Sequence, residues 1–345
     1  MSHTLSQLGW DETLASAYRR FDRPDATAGR VLRADRGVCT VLDASGVVRA
    51  SLGGGVLAAA AHDPVGLPCA GDWVVLRHWP DRRTTLECVL PRRTALIRRT
   101  ADKDASGQVL AANMDTVAVV EPMHPEPDAA RLERLLALAW ESGAEPLIVL
   151  TKSDTSSDPE AVARQLAELA PGVPVIPVSV RRGPGVAQLR AYAAPGRTVA
   201  LLGRSGAGKS TLVNALAGAS VMPVQQIRGA DGKGRHTTVY RNLVLLPGGG
   251  AVLDTPGIRG VGLLETAEGL DQAFADIAGL AARCRFGDCR HEDEPGCAVA
   301  AAIADGMLSP RRLESWRKLH HEVEVESARR SVRLAETAGR RRKRP

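Results

Sequence analysis

TVALLGRSGAGKSTLVNAL, from Thr198 to Leu216, is the stretch of sequence that decides the fold. TVALL is a continuous apolar run typical of a buried strand, and Leu212, Val213 and Leu216 follow it at helical spacing. Between the two lies GRSGAGKS, residues 203–210, which matches the pattern G-x-x-x-x-G-K-S/T. Glycines in this pattern let successive backbone N–H groups point at phosphate oxygens, beside the positive end of the next helix. The stretch therefore predicts a phosphate-binding loop.

The pattern assigns roles within this loop. Lys209 is expected to neutralise β- and γ-phosphate oxygens, and the hydroxyl of Ser210 to ligate Mg²⁺. An ordinary glycine-rich turn is the alternative, but the lysine, the hydroxyl and both flanking elements favour phosphate binding. The predicted nucleotide-binding residues of the loop are Gly203, Arg204, Ser205, Gly206, Ala207, Gly208, Lys209, Ser210 and Thr211.

The composition is that of an α/β protein with a basic surface. Of 345 residues, 44% are hydrophobic and only 3% aromatic, so the cores must be built from Val, Leu, Ala and Ile. The formal net charge of +6 suits a polyanionic partner. With no secretion signal and no long apolar run, we expect a soluble cytoplasmic protein that does not bind membranes. Cys39, Cys69 and Cys88 are scattered and are expected to be buried small hydrophobic residues.

Residues 1–26 predict an arm with one amphipathic helix, and residues 27–100 change to short strands separated by Gly, Asp and Pro turns. About five strands, ending with ALIRRT, predict a small closed barrel of the OB type, a fold that often binds oligonucleotides. We predict RNA contacts at Arg36 and Arg77; the alternative is a packing module whose arginines are a solvated surface. The arginines counted in this positive charge are Arg30, Arg33, Arg36, Arg77, Arg82, Arg83, Arg92, Arg93, Arg98 and Arg99.

From Met114 onward, apolar strands alternate with amphipathic helices. The strands are DTVAVVEP, EPLIVLTKSD, VPVIPVSV, TVALL, VYRNLVLLPGG and GAVLDTPG, and helices such as DAARLERLLALAWESG and PEAVARQLAELA lie between them. Strands that are apolar on both faces predict a mostly parallel sheet covered by helices on both sides.

Asp254-Thr-Pro-Gly257 ends one of these strands, as D-x-x-G does in nucleotide hydrolases. Asp254 is expected to reach Mg²⁺ through a water molecule, and the N–H of Gly257 to hold the γ-phosphate. Loss of that contact upon hydrolysis releases the following loop. The pattern is common by itself, and it gains weight here because it follows a phosphate loop.

Thr151-Lys152-Ser153-Asp154 ends the strand EPLIVL, and two interpretations are open. Ser153 or Asp154 could cap the helix that follows. The other interpretation is guanine recognition, in which the carboxylate of Asp154 accepts two N–H bonds that adenine does not offer, with the stem of Lys152 over the ring. The end of the next strand would complete this site, with a backbone N–H near the guanine carbonyl; the predicted contacts there are Ser179 and Val180.

The order of these motifs is TKSD, SV, GRSGAGKS and then DTPG, which is a circular permutation of the order in small GTPases. With LGWDE, GRV, GDWV, AANMDTVAVVE, GRHTT and DTPGIRGVGL, the chain closely resembles the circularly permuted GTPases that act in maturation of the bacterial small ribosomal subunit, often called ribosome small subunit-dependent GTPase A. The resemblance covers nearly the whole chain. It implies GTP hydrolysis stimulated by the 30S particle, with late assembly factors leaving upon hydrolysis.

The resemblance also implies a division into domains. We predict an arm (1–26), an OB barrel (27–100), a circularly permuted GTPase domain (101–263) and a zinc-binding helical domain with a basic tail (264–345).

Two departures from small GTPases bear on mechanism. Thr151 stands where asparagine is usual, so an amide hydrogen bond is missing and nucleotide affinity is expected to be lower. Ile258 follows DTPG where a water-orienting glutamine is expected, and an isoleucine cannot polarise water. We hypothesise that His236 orients or deprotonates the water and that Thr237 or Thr238 senses Mg²⁺; the alternative for His236 is a surface loop residue.

Three thiolates and one imidazole lie close together near the C-terminal end, at Cys284, Cys289, His291 and Cys297. This set makes a closed tetrahedral Zn²⁺ site, so we predict one structural zinc ion. Unrelated reduced cysteines are the alternative.

The last segment predicts a long helix that ends in a basic run. Such runs are usually solvated tails, but phosphate contacts are predicted here as well. The residues are Arg329, Arg330, Arg333, Arg340, Arg341, Arg342, Lys343 and Arg344.

The function predicted is that of a GTPase whose partners are GTP, GDP, the small ribosomal subunit with its RNA, and other assembly factors on that particle. The protein is expected to be a monomer. The alternatives are a P-loop kinase of a small metabolite and a nucleic-acid-binding zinc protein with a structural nucleotide. The guanine motif argues against the first, and measurable turnover would exclude the second.

Overall fold

The computed structural model describes residues 4–98, 107–222, 242–255, 267–292 and 294–342, apart from the side chains at positions 330 and 333–342. The strands of this part are β1 (Ala26–Asp35), β2 (Val38–Asp43), β3 (Gly46–Leu52), β4 (Trp73–His78), β5 (Thr84–Val89), β6 (Ala95–Arg98), β7 (Gln108–Ala112), β8 (Thr116–Pro122), β9 (Glu145–Thr151), β10 (Val175–Val178), β11 (Thr198–Leu202), β12 (Asn242–Leu245) and β13 (Ala251–Asp254). The α-helices are α1 (Glu12–Tyr18), α2 (Gly54–His62), α3 (Ala129–Glu141), α4 (Pro159–Leu169), α5 (Val186–Tyr192), α6 (Lys209–Ala217), α7 (Ala267–Ala273), α8 (Ala275–Ala281), α9 (Ala298–Ala304) and α10 (Pro310–Arg342).

Five strands close into the predicted barrel. Their order is β1-β2-β3-β5-β4, and β4 returns to pair with β1, with Ala26 opposite Arg77. Val31, Val41, Leu76 and Leu86 fill the interior and are fully buried. Five strands in this closed order are the OB architecture.

The prediction that ALIRRT completes the barrel is wrong. Residues 95–98 form β6, which pairs with β7 in a separate two-stranded sheet. Leu96 is buried in the core beside α3, and the N–H of Ala95 donates to the carbonyl of Ser142 at the end of that helix. The strand β6 therefore packs against the α/β part of the molecule and not in the barrel.

The α/β part confirms the predicted mostly parallel sheet. Its order is β10-β9-β8-β11-β13, all parallel, with β12 antiparallel beside β13. On β8, Val117 and Val119 pack in the core shared with α3 and α4, whereas Ala118 and Val120 pack with α5 and α6 on the opposite face. The carboxyl ends of the parallel strands meet at one edge, where ligands bind in open α/β sheets.

The barrel and the sheet are continuous with each other. Arg33 on β1 pairs with Asn242 on β12. The N-terminal arm crosses the junction, and the carbonyl of Gln7 accepts hydrogen bonds from the N–H groups of Gly196 (2.8 Å) and Gly250 (3.1 Å).

Two arginines that the sequence analysis counts toward the external positive charge of the barrel instead make contacts within the protein. Arg30 is 1% exposed and donates to the carbonyls of Leu8, Gly71 and Asn113. Arg92 binds the buried carboxylate of Asp72 at 2.7 Å. Their charges hold segments together and are not available to an external polyanion.

The prediction for the scattered cysteines is confirmed for Cys39 and Cys69, which are buried, while Cys88 is half-buried. Among the described helices, none combines the length and apolar character needed to span a bilayer.

Candidate active site and metal centre

The phosphate-binding pattern lies between the end of β11 and the start of α6. A Cβ atom on Gly203 would lie 2.3 Å from the carbonyl oxygen of Val120, and Gly208 has φ of +96°, so both positions require glycine. Lys209 is only 7% exposed, and its Nζ donates to the carbonyls of Gly203 (2.8 Å) and Arg204 (3.0 Å). The sequence pattern and the local geometry thus agree on a tight loop that holds an ammonium group inside its curve.

Asp254 lies at the carboxyl end of β13, beside this loop. It is 3% exposed, and burial raises its pKa to about 6 against the opposing effect of the Lys209 charge. Among the described residues, Oδ1 of Asp254 has no hydrogen-bond partner although it is buried. A buried carboxylate oxygen without a donor is a ligand type that suits Mg²⁺, and so is the hydroxyl of Ser210 at the start of α6.

The predicted guanine motif lies at the end of β9, the second strand from the phosphate loop. The hydroxyl of Thr151 donates to the carbonyl of Ala207 at 2.6 Å, which ties the motif to the phosphate loop. Lys152 adopts a left-handed conformation, with φ of +57°, and a short 3-10 turn over Ser153–Thr155 follows. The turn carries Asp154 to the edge of the sheet.

Asp154 is held by the next strand end. Its Oδ1 accepts a hydrogen bond from the hydroxyl of Ser179 at 2.7 Å, and this bond lowers the pKa of Asp154. Ser179 is buried, and the neighbouring Val180 is 36% exposed at the same edge. The alternative role in helix capping is wrong for both candidates, because Asp158 caps α4 by accepting from the N–H of Ala161 at 2.9 Å.

The structure thus brings together the phosphate loop, Asp254 and the TKSD and SV motifs. The predicted water-positioning and switch residues are not part of this set, because they lie outside the described residues. These are His236, Thr237, Thr238, Gly257 and Ile258.

Sequence reasoning missed Glu121. This residue ends the apolar part of β8 beneath the phosphate loop, and its side chain has no exposed area. It accepts two hydrogen bonds from Arg131, at 2.9 and 3.1 Å, and lies 3.8 Å from Nε of Arg204. A carboxylate that directly follows the run VAVV was the available signal.

The four predicted metal ligands converge. The ligand atoms of Cys284, Cys289, His291 and Cys297 all lie within 4.8 Å of one another. Nδ1 of His291 is 3.6 Å from the sulfurs of Cys284 and Cys297, and these two sulfurs are 3.9 Å apart. A tetrahedral site with Zn–S bonds of about 2.3 Å requires sulfur separations of about 3.8 Å, so the spacing fits Zn²⁺.

Secondary structure holds these ligands in place. Cys284 follows the end of α8, and Cys297 caps α9 by accepting from the N–H of Ala300. His291 is buried and packs against Trp316 of α10, with ring centroids 5.5 Å apart. The cluster therefore connects three helices, as expected for a structural metal.

The predicted RNA contacts are dispersed. Arg36 is exposed in the turn between β1 and β2. Arg77 binds Asp25 at 2.7 Å and stacks on Trp79, and Arg329 binds Glu326 at 2.7 Å. The remaining predicted contacts have no described side chain; they are Arg330, Arg333, Arg340, Arg341, Arg342, Lys343 and Arg344.

Comparisons with known proteins all find similarity to one family of GTPases. The family model for the RsgA GTPase matches residues 89–264. A Streptomyces coelicolor protein named small ribosomal subunit biogenesis GTPase RsgA is 52% identical over 321 residues, which are 92% of this chain and 86% of that protein. A protein of the same name from Opitutus terrae is 42% identical, over 92% of this chain and 89% of its own.

Solved structures show the same likeness. The crystal structure of YjeQ from Thermotoga maritima has a TM-score of 0.64 at 27% identity and covers 86% of this chain and 98% of its own. YloQ, described as a circularly permuted GTPase, has a TM-score of 0.61 at 24% identity and covers 87% of this chain and 95% of its own. At that identity the second likeness is one of fold.

Proposed function

The chain belongs to the RsgA GTPase family and is a GTP hydrolase, and we propose that it acts on the small ribosomal subunit during the late maturation of that particle. Its relatives are named for small ribosomal subunit biogenesis. The proposal includes subunit-stimulated turnover and release of other assembly factors, in a monomeric cytoplasmic protein.

The observation that carries the nucleotide assignment is the connection of the guanine motif to the phosphate loop. The Thr151 hydroxyl fixes Ala207, and the Ser179 hydroxyl fixes Asp154. One carboxylate oxygen of Asp154 is thereby oriented, and the carboxylate can accept the paired N–H groups of guanine. Adenine does not offer such a pair of N–H groups to this carboxylate, so the arrangement favours GTP over ATP.

The phosphate end of the site has its own set of proposed roles. Lys209 is proposed to bind β- and γ-phosphate oxygens, and the residues that would hold Mg²⁺ are Ser210, Asp254 through water, and Thr238. Bound there, Mg²⁺ would neutralise charge on the phosphates. The burial of Lys209 and Asp254 makes this end of the site a low-dielectric environment, in which charge interactions with phosphate are strong.

The attacking water requires a positioning group from another segment, because the side chain of Ile258 has no hydrogen-bonding group. We assign this role to His236, with Thr237 as an alternative Mg²⁺-sensing residue and the N–H of Gly257 on the γ-phosphate. Slow unassisted turnover follows, on the order of 10⁻³ to 10⁻² per second, which a bound partner would accelerate.

The Cys/His cluster is proposed to hold one structural zinc ion. All four ligand positions come from protein side chains, so none is left for a substrate. The arginines of the barrel turn and of the C-terminal helix are proposed as contacts to ribosomal RNA.

Phosphate release from GTP and from ATP, with and without purified small ribosomal subunits, tests this function. We expect GTP to be favoured and the subunits to raise turnover at least about tenfold. Lys209→Ala should abolish the stimulated rate. Equal turnover of both nucleotides that is indifferent to the subunit would reject the proposal and favour a kinase.

A further inference from the structure

One turn of α3 carries ion pairs that lead to two different parts of the molecule. Arg131 binds Glu121 beneath the phosphate loop. Two and three residues further on, Glu133 and Arg134 bind side chains of α10, the helix that packs against the metal centre. Residues 131–134 therefore lie between the nucleotide site and the C-terminal helices.

On the nucleotide side, the buried carboxylate of Glu121 acts on two residues of the loop. Nε of Arg204 lies 3.8 Å from Oε2 of Glu121, and this Nε is buried without a hydrogen-bond partner among the described residues. A shift of the loop by about 1 Å would bring the pair to hydrogen-bonding distance. Burial lowers the pKa of Lys209, and the charges of Asp254 and Glu121 oppose that decrease.

On the C-terminal side, Glu133 is equally buried. Its carboxylate, 1% exposed, accepts from Arg311 at 2.7 and 3.1 Å and from Arg312 at 2.9 Å. Arg312 also binds Asp276 and the carbonyl of Ala273, so it joins α10 to α7 and α8. Separating a buried charge from its partner is strongly unfavourable, so α10 and α3 are expected to move together.

We propose that Glu121 and Arg131 are positioning residues for GTP hydrolysis. Through residues 131–134 of α3, these two side chains make the position of the phosphate loop depend on the position of α10. This inference rests on the proposed function, because the partner that displaces α10 is the small ribosomal subunit. The displaced helix carries α3 with it, and Arg131 then shifts Glu121 against Arg204. Coupling of this kind requires an element with two arrangements, and the unsatisfied Nε of Arg204 marks where the second arrangement gains a contact.

Substitutions of Arg134 and Glu322 test this coupling and should leave the protein folded, because both side chains are partly exposed. The two side chains are 27% and 18% exposed, with a hydrogen bond of 2.7 Å between them. The variants are Arg134→Glu, Glu322→Arg and the double exchange, which restores the pair with reversed polarity. Arg197→Glu is the matched control, because Arg197 pairs with Glu145 in an exposed position and neither residue belongs to α3 or α10.

Phosphate release is measured with and without purified small subunits, and subunit binding is measured by sedimentation. Each single exchange places two like charges side by side and so pushes α10 away from residues 131–134 of α3, although the Glu133 contacts remain. It should lower the stimulation at least about fivefold, with basal turnover and subunit binding changed less than about twofold. The double exchange should recover at least about half of the stimulation, and the control should resemble the wild type. Unchanged stimulation, or a loss of stimulation that merely follows a loss of binding, would overturn the inference.

A second comparison examines the nucleotide side. Arg131→Gln should lower kcat for GTP about tenfold with little change in KM. Arg131→Lys, which keeps the positive charge, should have a kcat between those of Arg131→Gln and the wild type. Rates are normalised to protein that binds nucleotide, so that unfolded material does not contribute. An equal kcat for both variants and wild type would reject the positioning role. A wild-type protein that the subunit does not stimulate would instead reject the proposed function itself, and the coupling with it.

Discussion

At the scale of single residues, Thr151 serves two motifs at once. The sequence indicates a weakened guanine motif, because threonine lacks the amide of asparagine. The structure shows what the threonine retains, since its hydroxyl reaches the carbonyl of Ala207 in the phosphate loop. The residue is 5% exposed, so this hydrogen bond is protected from water.

Thr151→Val removes the hydroxyl and keeps the shape of the side chain. The carbonyl of Ala207 then lacks this donor, at a cost of about 1 kcal/mol, and GTP binding should weaken about fivefold. Titration with a fluorescent GTP analogue measures the change, with Thr27→Val as the control because that hydroxyl contacts Asp43 and His78 in the barrel. Identical affinities for Thr151→Val and wild type would show that the hydrogen bond does not order the loop.

The buried carboxylate of Asp254 lowers the stability of the folded protein when it is ionised. Its pKa is about 6 in the folded protein, against 3.8 as the ordinary value. Between these values the folded state binds more protons than the unfolded chain, so stability falls as pH rises from about 4 through 6. Above pH 6 the buried charge destabilises the fold by up to about 3 kcal/mol.

Asp254→Asn should therefore raise the free energy of unfolding near pH 7.5 in magnesium-free, nucleotide-free protein. At pH 4.5 most of this difference should vanish, because the wild-type carboxyl is then mostly protonated in the fold. Urea unfolding at both pH values measures the effect. Parallel pH profiles for the two proteins would contradict the assigned pKa.

At the scale of elements, the sequence predicts the strands and helices of the α/β sheet because each strand is apolar on both faces and each helix has one apolar side. It cannot choose the partner of β6, since the alternation in ALIR suits a barrel strand as well as a two-stranded sheet. Tertiary contacts of Leu96 with the core beside α3 make that choice.

The helix cap illustrates a different limit. Both Asp154 and Asp158 precede α4, and the predicted caps were Ser153 and Asp154. Pro159 at the first helical position marks Asp158 as the cap, which was a readable signal. The contact between Asp154 and Ser179, by contrast, joins residues on different strands and follows only from the sheet order.

The metal cluster provides a prediction for the C-terminal elements. Cys289→Ser removes one of four ligands that connect α8, α9 and α10, so zinc content and thermal stability should fall together. Metal analysis and thermal unfolding measure the two quantities, and the scattered Cys88→Ser is the control. A full loss of zinc with unchanged thermal stability would argue against a structural role.

At the scale of the whole molecule, Arg30 joins the arm, the barrel and the α/β sheet. Its guanidinium donates to carbonyls from all three, and burial lowers its pKa to about 10. The sequence could not reveal this, because an arginine in a basic barrel resembles a surface residue until the three carbonyls are brought together by the fold.

Arg30→Met should lower the free energy of unfolding by about 3 kcal/mol or more, because three carbonyls lose a charged donor. The arm should also become more sensitive to trypsin, which cleaves after its exposed arginines Arg19 and Arg20. Arg36→Met is the control, since Arg36 is exposed in a turn and its loss should change stability by less than about 0.5 kcal/mol. Equal stability for the two variants would contradict the joining role.

The central proposal is that the chain acts as a GTPase on the small ribosomal subunit, and it follows that the bound guanine nucleotide should decide how tightly the molecule holds that subunit. Sedimentation of the protein with purified subunits, in the presence of GDP or a non-hydrolysable GTP analogue, tests it most directly. We expect tight association with the GTP analogue and at least about tenfold weaker association with GDP, and no difference between the two nucleotides for Lys209→Ala. Equal association of the wild-type protein in both nucleotide states would contradict the account.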